Sequence, residues 1–199
     1  MDEVREQSER DYQLASGLSQ DVETDDNVFR QTTARLPWLI IGMLGGIGNS
    51  MILGNFDATF AAHPEMALYI PLIGGTGGNV GTQSSALIVQ GLANSSLDSK
   101  NTLKQVAKEA VVALINATII SLLVYTYNFI RFGAMATVTY SVSISLFAVV
   151  MFASIFGTLV PMTLERLKID PAIATGPFIA ITNDIIGMML YMGITVLLS

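Results

Sequence analysis

Pro71-Leu-Ile-Gly-Gly-Thr-Gly-Gly-Asn-Val-Gly-Thr-Gln-Ser-Ser85 sets glycines, hydroxyls and amides in the middle of a segment otherwise apolar enough to cross a bilayer. Hydrocarbon normally excludes such a run, because each unpaired polar group there costs several kcal/mol. A polar stripe inside a spanning segment therefore faces a wet cavity or another helix rather than lipid. The stretch points to a membrane protein with an internal polar surface, which is a transport signal.

Composition agrees. Of 199 residues, 51% are hydrophobic and 13% charged, where soluble domains carry about 25% charged residues. The mean hydropathy is +0.55. The net charge of -6 is unevenly spread. Asp2, Glu3, Glu6, Glu9, Asp11, Asp21, Glu23, Asp25 and Asp26 all precede Val28, against Arg5 and Arg10 alone. Residues 1–28 thus read as an acidic cytoplasmic arm, a solvated helix or an unfolded tail. No nucleic-acid partner is expected. The absence of cysteine excludes disulfides, thiolate metal sites and cysteine nucleophiles. The N-terminus has no basic n-region followed by an early apolar core, so the first apolar span is expected to be retained.

A span needs roughly 20 mostly apolar residues. Five segments qualify: Leu36–Ala62, Met66–Leu92, Val106–Ile130, Met135–Thr163 and Pro171–Ser199. The expected fold is an all-α, multi-pass membrane bundle occupying residues 29–199. Arg30 and Arg35 precede span one, Lys100, Lys104 and Lys108 lie between spans two and three, and Arg166 and Lys168 between spans four and five. The opposite side carries only Arg131. Positive charge is retained inside, so the N-terminus is expected in the cytoplasm and the C-terminus outside, in a plasma or inner membrane.

In span two, Pro71 removes a backbone donor and is expected to loosen the helix. Gly74/Gly78 and Gly77/Gly81 are small-xxx-small pairs suited to close helix approach. Asn79, Thr82 and Gln83 fall on one face by helical spacing and are candidate pathway-lining groups, with Gly75 and Gly78 beside them. Span five opens on Asp170-Pro171, an N-cap followed by proline, and carries Pro177 inside it, which frees the Ile173 carbonyl. Helical spacing groups Ile173, Pro177, Ala180, Asp184, Gly187, Met188 and Tyr191 on one face, with Gly176 at the bend and Thr182 and Asn183 on the flanks. Asp184 is the decisive residue. A carboxylate in mid-membrane costs at least about 2.5–3.5 kcal/mol, and such groups usually mark ion paths. The alternative, an acid paired with a base from another span, lacks a lysine or arginine at matching depth. Glu109 reads equally as a helix-end acid, and Asn49, Asn55 and Asn116 as interhelical hydrogen-bonding groups.

These residues jointly resemble a known family. Gly77-Gly78-Asn79-Val80-Gly81-Thr82-Gln83-Ser84, with Asp170-Pro171-Ala172 through Gly176-Pro177 to Asp184, is similar to the transmembrane domain of the MgtE magnesium channels. Arg35-Leu36-Pro37-Trp38-Leu39, Lys108-Glu109, Gly157 and Pro161 add to the resemblance, which covers roughly Val28 to the end. It implies a homodimer of five-span subunits with one pore on the two-fold axis, lined by spans two and five. It puts the family's pore carboxylate on Asp184, its pore asparagine on Asn79 and its pore-facing carbonyl on Ala180. Gly176 and Ser154 depart from the asparagines that some members carry at these points. The resemblance implies Mg²⁺ as the transported ion, with Mn²⁺, Co²⁺ and Ca²⁺ as further candidates at the same site. It also implies a separate cytoplasmic regulatory domain, and the arm before Val28 then corresponds to part of the connecting helix at the inner mouth.

The sequence-level expectation is therefore a channel holding a hydrated divalent cation by Asp184, Asn79, Thr82 and the Ala180 carbonyl. A Na⁺- or H⁺-coupled divalent cation carrier using Asp184 is the alternative. An enzyme is not expected, since no nucleophile–base pair is present and the sole histidine, His63, lies in a short break between spans.

Overall fold

A computed structural model describes residues 12–14, 16–19, 22–94, 97, 102–174 and 176–199. Among them there are helices and connecting turns and no strand. The principal helices are α1 (Val28–Gly54), the short α2 (Asp57–Ala62), α3 (Ile70–Ala93), α4 (Thr102–Phe132), α5 (Thr137–Arg166) and α6 (Pro177–Leu198). Short 3₁₀ turns at Pro64–Tyr69 and Pro171–Ala174 precede α3 and α6. Among the described residues four helices, α1, α4, α5 and α6, are long and apolar enough to cross a membrane. α3 has 24 residues, about 36 Å at 1.5 Å per residue and so long enough to span. Its glycine–amide run leaves it without a continuous apolar stretch like those of the other four.

Several boundaries differ from the sequence expectation, for local reasons. α1 starts well before Leu36, because the Asn27 side chain accepts from the Arg30 amide at 2.9 Å and caps it. It ends at Gly54, and the rest of the first apolar segment forms α2. Pro71 does not loosen a helix interior: it lies in the first turn of α3, where no intrahelical donor is lost. Span five is likewise interrupted. Asp170 Oδ1 does accept from the Ala172 amide at 2.9 Å, but the turn it caps is only the 3₁₀ segment. α6 begins anew at Pro177, after Gly176 at φ 51°. Such a positive φ favours glycine, with asparagine the next most tolerant residue.

α5 is the hub. It packs on α3, α4 and α6, while α3 also packs on α6. Ile73 from α3, Val142, Leu146, Val149 and Val150 from α5, and Met188, Tyr191 and Met192 from α6 make one buried cluster with Met66 and Tyr69. Where lipid competes for apolar surface, such packing depends on close van der Waals fit and small residues. Polar ties reinforce it. Tyr191 Oη donates to the Met66 carbonyl at 2.8 Å, and the Tyr69 hydroxyl meets Asn128. α1 stands apart, buries only Ala34 and contacts chiefly α6, where Gly42 and Gly45 face Ile181. Leu39, Met43, Leu44, Ile47 and Met51 remain exposed along it.

Of the acidic arm, Asp2, Glu3, Glu6, Glu9, Asp11 and Asp21 lie outside the described residues, as does Lys100 of the α3–α4 connection. The described part folds back on α1. The Gln13 amide brackets Val22, donating to its carbonyl at 2.9 Å and accepting from its amide at 3.1 Å. Ser19 donates from both its amide and its hydroxyl to the Ala34 carbonyl, each at 2.9 Å. Gly17, buried at φ 84°, lies so close to the start of α6 that a Cβ there would stand 2.7 Å from Pro177 Cγ.

Candidate functional site

The glycine run of α3 has two working faces. One meets Asp184: a Cβ built on Gly74 or on Gly78 would stand 3.4 Å from Asp184 Oδ1 in either case. The carboxylate therefore rests across one turn of bare backbone, at ordinary van der Waals distance from where a Cβ would stand. Asp184 is half-buried and forms no ion pair among the described residues. The other face meets the core. A Cβ on Gly77 would come within 3.0 Å of Val149 Cγ1, and one on Gly81 within 2.8 Å of Ile179 Cγ2. One on Gly157 of α5 would reach 3.1 Å from the Gly81 backbone carbons and overlap its carbonyl oxygen. Close packing and carboxylate contact thus share one run, divided by helical phase.

The sequence-derived candidates fall into three groups. Asp184, Gly78 and Ala180 come together: the Cβ position of Gly78 is 3.8 Å from Ala180 Cα as well as 3.4 Å from the carboxylate. Gly75 and Asn79 are exposed and Thr82 half-buried, one turn apart on the outward side of α3. Thr82 Oγ1 donates to the Gly78 carbonyl at 2.9 Å, so its proton is engaged and its lone pairs face outward as acceptors. In the 3₁₀ turn before α6, Ile173 is exposed, while Gly176 and Pro177 are half-buried and Pro177 lies against Gly17 of the arm.

Gln83 and Gly187 lie elsewhere. Gln83 lines a separate cavity of about 560 Å³ between α3 and α4, with Lys108, Glu109 and Asn116. Gly187 is buried, its Cβ position 3.4 Å from Val149 Cγ1, so it serves the core. Met188 and Tyr191 are buried too, and the face read by helical spacing turns into the bundle beyond Asp184.

Two sets of contacts were not legible in the sequence. Glu109 is no simple helix-end acid. Its Oε1 accepts from Ser84 at 2.7 Å and from Ser154, tying α4 to α3 and α5. The two hydroxyls are themselves 3.1 Å apart. Asn183 is fully buried against Gly81, and neither amide atom has a hydrogen-bond partner in the protein. Residues 45 and 70 positions apart leave no short-range periodic trace.

Among the described residues no three His, Cys, Asp or Glu side chains gather to cage a metal. Instead a lone carboxylate rests against the bare backbone of Gly74 and Gly78 in an apolar helical bundle. Taken together these features define a multi-span membrane protein with an ionisable group lodged between two helices.

The profile of the MgtE family, described as divalent cation transporter, matches residues 70–194. The chain is 30% identical over 194 residues to the magnesium transporter MgtE of Bacillus subtilis, an alignment covering 98% of this chain and 43% of that protein. It is 34% identical over 165 residues to the magnesium transporter MgtE of Thermus thermophilus, covering 83% of this chain and 36% of that one. Against the Enterococcus faecalis magnesium transporter MgtE it is 26% identical over 200 residues. The chain belongs to the MgtE family of divalent cation transporters. It spans 36 to 43% of the length of these three relatives.

Proposed function

We propose that this chain forms the membrane pathway of a magnesium channel, with α3 and α6 lining it as spans two and five of a homodimer. The observation that carries the reading is the Asp184 carboxylate set against Gly74 and Gly78 with no cationic partner among the described residues. Magnesium sheds water reluctantly and is commonly held through its waters by one or two carboxylates. Those waters present hydrogens outward, so the pathway needs acceptors. Asp184, the Asn79 amide oxygen, Thr82 Oγ1 with its proton already engaged, and the Ala180 carbonyl supply that chemistry. Across a two-fold axis two copies of Asp184 face the ion, and its charge offsets their repulsion.

The exposed apolar length of α1 supports a lipid or partner-helix environment, and the positive-inside pattern supports a cytoplasmic N-terminus. An inward-negative potential contributes about 4.6 kcal/mol per 100 mV for a divalent ion, twice the single-charge value, so the downhill path needs no coupled gradient. The arm docked by Gly17 on Pro177 lies at the inner end of this path, where a connection to a cytoplasmic regulatory domain would act. Mn²⁺, Co²⁺ and Ca²⁺ are candidates for the same site.

Uptake by the purified chain in liposomes, with Mg²⁺, Mn²⁺, Co²⁺ and Ca²⁺ compared, tests the proposal. Asp184→Ala and Asp184→Asn are expected to lose most Mg²⁺ flux while the oligomer persists. Full transport by Asp184→Ala would sink the assignment. Flux that requires a Na⁺ or proton gradient would favour the coupled carrier instead.

A further inference from the structure

We infer that Asn183 is a positioning residue: its side chain is a key seated in the notch left by Gly81, and it sets the rotation of α6 that turns Asp184 onto Gly74 and Gly78. The inference rests on the Asp184 pathway proposed above and extends it to a residue that touches no ion.

Asn183 shows no exposure at all, although its neighbour Asp184 is half-buried at the open side of the same helix. Successive helical residues differ by about 100° in direction, so fixing one of this pair fixes the other. The fit at Asn183 is close. A Cβ on Gly81 would stand 3.0 Å from Asn183 Cγ and collide with its amide nitrogen, while Ile179 Cγ2 closes the same space at 2.8 Å. Gly157 also brings α5 onto the Gly81 backbone. Gly81 is thus in close contact with α5 as well as with Asn183 of α6. Val149 adds a second wall, since a Cβ on Gly77, one turn before Gly81, would meet its Cγ1 at 3.0 Å and the Asn183 carbonyl at 3.7 Å.

The amide contributes shape at this point, because neither Oδ1 nor Nδ2 bonds to another protein group. Three helices therefore meet through two glycines and one asparagine, one residue away from the carboxylate. A site held by such packing tolerates little looseness, and a shift of about 1 Å in a positioned group can cost roughly a hundredfold in function. Asn183 is accordingly expected to control how well the ion is held more than how many folded channels exist.

The test is a set of variants in the full chain, reconstituted in liposomes, with Mg²⁺ uptake measured against Mg²⁺ concentration and apparent melting recorded in detergent. Asn183→Ala, which empties the notch, is expected to raise the half-saturating Mg²⁺ concentration about tenfold with a smaller change in maximal rate. Asn183→Leu keeps the branched outline and should lie nearer wild type than Asn183→Ala. Gly81→Ala should impair uptake most, and Gly81→Ala/Asn183→Ala should recover part of that loss, with the same coupling visible in melting. Wild-type half-saturation in Asn183→Ala, or a double variant no better than Gly81→Ala, would overturn the inference. Because coupling between positions 81 and 183 is read in melting as well as in flux, its failure is separable from that of the pathway. Only full transport by Asp184→Ala speaks against the latter.

Discussion

Gly157→Ala is the sharpest packing test of the bundle. The added methyl would point from α5 into α3, overlapping the Gly81 carbonyl oxygen and standing 3.1 Å from two Gly81 backbone carbons. Ordinary contact begins at 3.4 Å, and clearing the oxygen as well requires the helices to part by about 1 Å. A flexible side chain could turn aside, whereas a helical carbonyl is held by its own backbone. Overpacking of a close-packed interior costs typically about 1–3 kcal/mol, and a backbone clash belongs at the upper end. Alanine regains about 1 kcal/mol over glycine in helix propensity, which leaves a net loss of about 2 kcal/mol. For a chain of this size that corresponds to an apparent melting temperature lower by about 4–8 °C. Thermal unfolding in a fixed detergent, followed by helical circular dichroism, reads the shift. Gly193→Ala is the internal control, because a Cβ there meets no atom within 4 Å. If Gly157→Ala melts at or above wild type, the α3–α5 backbone contact does not exist as described.

Other perturbations follow from the same geometry. Gly193→Ala itself should leave melting unchanged or raise it slightly, through helix propensity alone. Glu109→Ala removes the acceptor shared by Ser84 and Ser154 and is expected to destabilise by about 1–3 kcal/mol, measurable as a lower melting temperature. Tyr191→Phe deletes the bond to the Met66 carbonyl within the core and should cost about 1 kcal/mol in the same assay, with the fold retained. On the proposed pathway, Thr82→Ala removes one acceptor of ion-bound water while leaving Asp184. It should lower Mg²⁺ flux by up to about tenfold, the range of one hydrogen bond, and less than Asp184→Ala does.

How far these features were legible in the sequence differs by kind. The long apolar helices were readable because bilayer thickness imposes a length that a window of residues reveals. Asp184 stood out because an intramembrane carboxylate is costly wherever it faces. Helix ends were less accurate. Asn27 caps α1 early, and Gly176 restarts the last helix at Pro177, because caps and positive-φ breaks act through single residues. Helical spacing grouped Gly187 and Tyr191 with Asp184, but spacing does not say what a face meets, and both residues are buried in the core.

By itself the sequence determined that this chain is a helical membrane protein with a polar run near Pro71–Ser85 and a carboxylate at Asp184, since composition and periodicity report the cost of placing each residue in lipid. Only the tertiary structure decided that the run divides, with Gly74 and Gly78 under Asp184 while Gly77 and Gly81 pack against α5 and α6. It alone joined Glu109 to Ser84 and Ser154 and seated Asn183 on Gly81. The physical reason is that helical phase is a local property, whereas contact between phases depends on how separate helices rotate and approach.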